Sequence, residues 1–134
     1  MNNPQENAML AELFNAVIYV RITKNRMHLR HIPLNKEVTV EAADPFTSPR
    51  MLVGNYTRAE KCLRQGMAQL DAVRWWAPMP AMIVHPLELL EGGLSEIEDR
   101  ALFELAMSVG AKKVRLWVGN ELSDLDVLDK IKGK

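Results

Sequence analysis

The chain has 134 residues, 48% of them apolar and 25% charged, and its 17 basic and 17 acidic side chains cancel to zero net charge. That length supports one domain with a real core and excludes two ordinary ones. The composition excludes a disordered chain, the balanced charge supplies no long-range field toward nucleic acid or anionic lipid, and a lone cysteine, Cys62, excludes an internal disulfide framework.

The opening MNNPQENAML has neither the basic nor the apolar region of a secretory signal. No apolar run reaches the ~20 residues of a spanning helix, so a cytoplasmic protein without a transmembrane segment is expected. Residues 1–14 read as a polar N-terminal segment with one short helix, where Met9, Leu10, Leu13 and Phe14 recur at helical spacing. Residues 15–132 read as a single domain. Val17 to Thr23 is β-branched and aromatic, hence a strand. Lys24-Asn25 predicts a tight turn, because asparagine tolerates positive φ. Met27 to Ile32 returns, Pro33 and Asn35 turn again, and Val38 to Val40 is a third strand. These three form an antiparallel meander.

Asp44 to Pro49 is a loop, and Met51 to Val53 is expected to be briefly extended. Thr57-x-x-Glu60 has the form of a capping box. The helix after it buries Ala59, Leu63, Gly66, Met67, Leu70 and Val73, with Cys62 half-buried beside them, and ends at Trp75-Trp76 and the prolines that follow. Ala81 to Val84 has no polar alternation, as expected of a strand covered on both faces. Ser95-x-x-Glu98 is a second capping box, Ile97, Ala101, Leu105 and Val109 form the buried stripe of its helix, and Gly110 supplies the positive φ that ends it. Val114, Leu116 and Val118 alternate with Arg115 and Trp117 in the last strand, and Leu122 to Ile131 is the final helix.

The order β-β-β-α-β-α-β-α implies an α/β fold, a mixed sheet with helices on its faces. It matches the ribonuclease-H-like layout, which is also an actin-like ATPase subdomain. Gly93-x-Ser95-x-x-Glu98-x-Arg100-Ala101-x-x-Glu104, continuing to Gly110-Ala111, resembles the first subdomain of the bacterial actin MreB, as does Tyr56 to Leu63. Over the chain as a whole, Val17-Ile18-Tyr19-Val20-x-Ile22-x-Lys24-Asn25-Arg26-x-His28 and Glu91 to Glu98 are similar to the YjaA family of small bacterial stress-response proteins. The YjaA resemblance implies a stress role, and the MreB resemblance implies a fold.

The activity of actin-like ATPases is not carried over. Their phosphate hairpin needs an Asp and glycines whose backbone approaches the phosphates. Tyr19 to Asn25 has neither, and Ala11 to Asn15 has neither. A two-metal nuclease needs a carboxylate on the first strand, and Val17 to Thr23 has none. His28, His31 and His85 do not converge as zinc ligands would. No catalytic, cofactor-binding or metal residue is therefore assigned, and no cofactor is expected. Phe103 and Met107 lie on the helix side opposite Ile97, Ala101 and Leu105, and with Trp75 and Trp76 they are the candidate protein contacts. Arg21, Lys24, Arg26 and Arg30 form a candidate basic patch on the first hairpin.

The leading expectation is a non-enzymatic interaction or regulatory domain, with a protein partner or a second copy of itself. An actin-like protein is one candidate partner. The alternatives are a degenerate nucleotide-binding protein completed by oligomerisation, and a nucleic-acid binder using the basic hairpin.

Overall fold

The computed structural model describes residues 17–70, 80–89 and 91–133. Eight elements follow in order: β1 (Val17–Thr23), β2 (Arg26–His31), β3 (Lys36–Glu41), α1 (Tyr56–Leu70), β4 (Ala81–Pro86), α2 (Glu96–Ser108), β5 (Lys113–Leu116) and α3 (Asp124–Lys132). The five strands form one mixed sheet in the order β3-β2-β1-β4-β5. The meander pairs antiparallel, with Ile18 opposite His31 and Arg30 opposite Glu37, whereas β4 lies parallel to β1 and β5 parallel to β4.

Two turns set the meander's register. Asn25 and Asn35 adopt φ of 56° and 53°, the left-handed region that asparagine tolerates. Asn25 also ties its turn to the following loop. Its side-chain carbonyl accepts from the Phe46 and Thr47 N–H groups at 2.9 and 2.8 Å.

Strand alternation divides the core. On one face Ile18, Val20, Ile22, Met27, Leu29, Val40, Met82 and Val84 pack under α1 and α2. On the other, Val17, Tyr19, Ala81 and Ile83 pack under Val127, Leu128 and Ile131 of α3. β4 is buried along its whole length, as its unbroken apolar run predicts. Gly66 lets α1 approach β2 closely, since a Cβ there would stand 2.8 Å from a methyl of Leu29.

Several local expectations need correction. Asn55, not Thr57, begins α1. Its side chain accepts from the Arg58 N–H at 3.1 Å and its backbone carbonyl from Ala59, so Thr57 already lies inside the first turn. Met51 to Val53 is a bend rather than an extended piece. Ile97 is not part of the buried stripe, for it is 74% exposed. The stripe of α2 is Leu102, Leu105, Ala106 and Val109, and steps of four residues drift about 40° each round a helix, which carries Ile97 off that stripe. β5 stops at Leu116, and α3 begins at Asp124, capped by Ser123. The Ser95–Glu98 capping box forms with both bonds, and Gly110 has φ 101°. The expected short helix at Met9–Phe14, Val73 and the expected helix end at Trp75-Trp76 lie outside the described residues.

Candidate functional site

Two surfaces carry the candidate residues. The first is the face of the sheet that carries α3, on the side away from α1 and α2. Alternation and register bring Tyr19 and Arg21 of β1, His28 and Arg30 of β2, Glu37 and Thr39 of β3, and His85 of β4 to this face. Arg30 holds Asp124 in a two-pronged grip, Nε and Nη2 each donating at 2.7 Å. It also donates to Glu37 at 3.2 Å and to the Asn35 side chain at 2.6 Å. That guanidinium keeps the Asp124 carboxyl below its usual range. Glu37 is lowered chiefly by its hydrogen bond with His28.

His28 stands between two groups, Nδ1 2.8 Å from the Thr39 hydroxyl and Nε2 2.6 Å from the Glu37 carboxylate. A carboxylate only accepts, so Nε2 carries a proton toward Glu37, and Nδ1 stands against the Thr39 hydroxyl. Hydroxyl, imidazole and carboxylate in a row are the parts of a nucleophilic relay. Here the hydroxyl sits on an exposed edge strand, and the row is what cross-strand pairing produces on a polar sheet face.

Deeper in the face, a buried chain of bonds joins β1, β4 and the β5–α3 loop. The Leu122 N–H donates to Tyr19 Oη at 3.1 Å. Tyr19 then gives its own proton to His85 Nδ1 at 2.7 Å, and His85 Nε2–H donates to the Gly119 carbonyl at 3.0 Å. The rings of Tyr19 and His85 stack, 5.9 Å between centres. Burial raises the tyrosine pKa and lowers that of His85, so both are neutral groups in a satisfied network.

The four basic-patch residues do not form an open cationic surface. Arg21 pairs with Glu121 and lies over the Tyr19 ring. Arg26 pairs with Glu41, and Arg30 with Asp124 and Glu37. Lys24 is exposed, but its backbone N–H donates to Glu88 at 2.6 Å. A cleft of about 490 Å³ opens beside Lys24 and Glu88, at the carboxyl ends of β1 and β4. Sequence reading missed these acidic partners. Their signal is position alone: Glu41 and Glu37 lie directly across a strand pair, Asp124 at a helix start, and Glu121 and Glu88 in loops.

The second surface is the outer side of α2. Phe103 and Met107 are 44% and 45% exposed there, and Ile97 joins them. Trp75 and Trp76 lie outside the described residues. Cys62 is fully buried, its thiol aimed at the Val40 carbonyl at 3.6 Å, and burial pushes its pKa up to about 11. That is the setting of an inert structural thiol, not of a redox sensor. Among the described residues, no group of three or more His, Cys, Asp and Glu stands ready to hold a metal ion. No described helix is long and apolar enough to cross a membrane.

Fold and surfaces together define a small α/β protein with a five-stranded mixed sheet and three helices among the described residues. No protein-family model matches the chain. It is 34% identical over 105 residues to the uncharacterised protein YjaA of Escherichia coli (strain K12), a match that spans 75% of this chain and 81% of that one. The chain belongs to the YjaA family.

Proposed function

We propose that the chain is a non-enzymatic interaction or regulatory domain that binds a protein through the outer face of α2. The observation that carries this reading is the exposure of Phe103 and Met107, one turn apart, and of Ile97 nearer the start of the same outer side, on a helix whose opposite stripe is buried. Apolar groups of this size, set among charges on a rigid element, are what a contact patch is made of. Replacing Phe103 by Ser and Met107 by Gln tests it. The expected outcome is unchanged melting with loss of the retained protein in affinity capture. An equal yield from wild type and variant sinks the proposal, as does a wild type that retains nothing, itself included.

The strand order β3-β2-β1-β4-β5, with β4 and β5 each reached through a helix and parallel to β1, supports a ribonuclease-H-like reading of the fold, the layout of an actin-like subdomain. On that reading an actin-like protein is one candidate partner. A bacterial stress role in the cytoplasm belongs to the same proposal and rests on family resemblance alone.

The cleft beside Lys24 favours a second reading, a degenerate nucleotide site, because ligands of α/β sheets sit at the carboxyl ends of parallel strands. Titrating labelled protein with Mg·ATP decides it. Amide shifts clustered around Lys24 and Glu88 support this second reading, and a still spectrum at millimolar nucleotide removes it.

A further inference from the structure

The outer face of α2 has an order of its own. At 3.6 residues per turn, Glu96, Ile97, Arg100, Phe103, Glu104 and Met107 fall within an arc of about 120°. Glu96, Arg100 and Glu104 follow one another a turn apart, so the cation stands between two carboxylates. Yet among the described residues none of the three makes an ion pair, whereas Glu60 and Arg64 at the same spacing on α1 do. Exposed apolar groups and unspent charges therefore share one face.

That face is complementary to itself. We propose that α2 packs antiparallel against α2 of a second copy, about a two-fold axis crossing the helix at the level of Leu102; this names the partner of the contact surface proposed above and rests on that reading. A two-fold of this kind sets each residue against the one equally far on the other side of the axis. Arg100 then meets the partner's Glu104, and Glu104 meets the partner's Arg100. Ile97 comes level with the partner's Met107, and Phe103 comes level with the partner's Ala101, which leaves the two Phe103 side chains only about 3 Å apart along the helix direction and able to meet.

Other arrangements fail on charge or on coverage. A parallel pair sets Arg100 on Arg100 and each glutamate on itself, which repels. An axis at Arg100 sets the two arginines together. An axis at Glu98 pairs Arg100 with the partner's Glu96 but leaves Phe103 and Met107 past the end of the partner helix. The zero net charge of the chain adds no general repulsion between copies. A contact centred on one helix of 13 residues lies at the small end of the interface range, so the dimer is weak and concentration-dependent.

Light scattering and sedimentation of the full chain, from about 10 μM to 1 mM at low salt, read this directly, because rim charges act most strongly there. The expected wild-type mass rises toward twice the monomer. Arg100→Glu is expected to weaken the dimer at least about tenfold. The swap Arg100→Glu with Glu104→Arg restores it, because the exchanged charges face each other again. In a Cys62→Ser background, Phe103→Cys is expected to oxidise to a disulfide-linked dimer, and Asp99→Cys is not. Melting curves identify any variant that fails to fold, and the cross-link then carries the test. A chain monomeric throughout overturns the inference, as does a dimer indifferent to Arg100→Glu or a charge swap that restores nothing. The contact-surface reading falls separately, by the capture experiment with Phe103→Ser and Met107→Gln.

Discussion

The buried pair Tyr19 and His85 ties three elements together, because the tyrosine hydroxyl and the imidazole complete a chain of bonds from Leu122 to Gly119. Tyr19→Phe keeps the packing and leaves the Leu122 N–H and the His85 ring without their partner. The expected cost is about 1–3 kcal/mol in urea unfolding at pH 7, and a cost below about 0.5 kcal/mol shows that water replaces the hydroxyl. His85 also fixes a pH dependence. Its pKa is lowered in the fold, chiefly by burial and against the pull of the Gly119 carbonyl. The unfolded chain therefore takes up a proton near pH 6.5 that the folded chain declines. This contribution is complete above about pH 6.5 and is lost as pH falls below it. Stability measured between pH 7.5 and 5 is expected to decline, and His85→Gln is expected to flatten that slope. A slope unchanged in the variant assigns the decline to other groups.

At the scale of elements, α2 separates what periodicity reveals from what it conceals. Leu105→Ala is expected to cost about 2–5 kcal/mol, because a fully buried side chain leaves a cavity under the helix. Ile97→Ala is expected to change stability by no more than about 0.5 kcal/mol. Equal effects in thermal melts would return Ile97 to the core. All five strands and the three described helices were legible in the sequence, because turn asparagines, a capping box and an unbroken apolar strand act locally. The register of the helix stripe was not, since each four-residue step from Leu105 back through Ala101 to Ile97 drifts about 40° round the helix, and only the packing shows where the buried face ends. The ion-pair partners of the basic hairpin were hidden for a related reason. Arg30 and Asp124 lie 94 positions apart, and only the packing of α3 brings them together. Phe103 and Met107 stood out in the sequence as contact candidates because they break the polar pattern of that helix side, and both are exposed.

For the molecule as a whole, α3 is a strut laid across the sheet. Asp124 at its start is gripped by Arg30 of β2, and Lys113 of β5 donates to the Ile131 and Gly133 carbonyls at its end. Arg30→Lys keeps the charge and loses the fork. The expected cost is about 1 kcal/mol, reduced by the partial exposure of the pair and by added salt. Denaturation at 0.1 and 1 M salt checks it, and a salt-independent loss would point to packing rather than charge. The central position of β1 has a further consequence, for the life of the chain before it is finished. β1, β2, β3 and α1 leave the ribosome before β4, and Tyr19 waits for a partner 66 residues downstream. Until then VIYVRIT is a bare, apolar strand edge, the kind that recruits a neighbouring chain. A nascent chain stalled after α1 is therefore the form of this protein most in need of a chaperone.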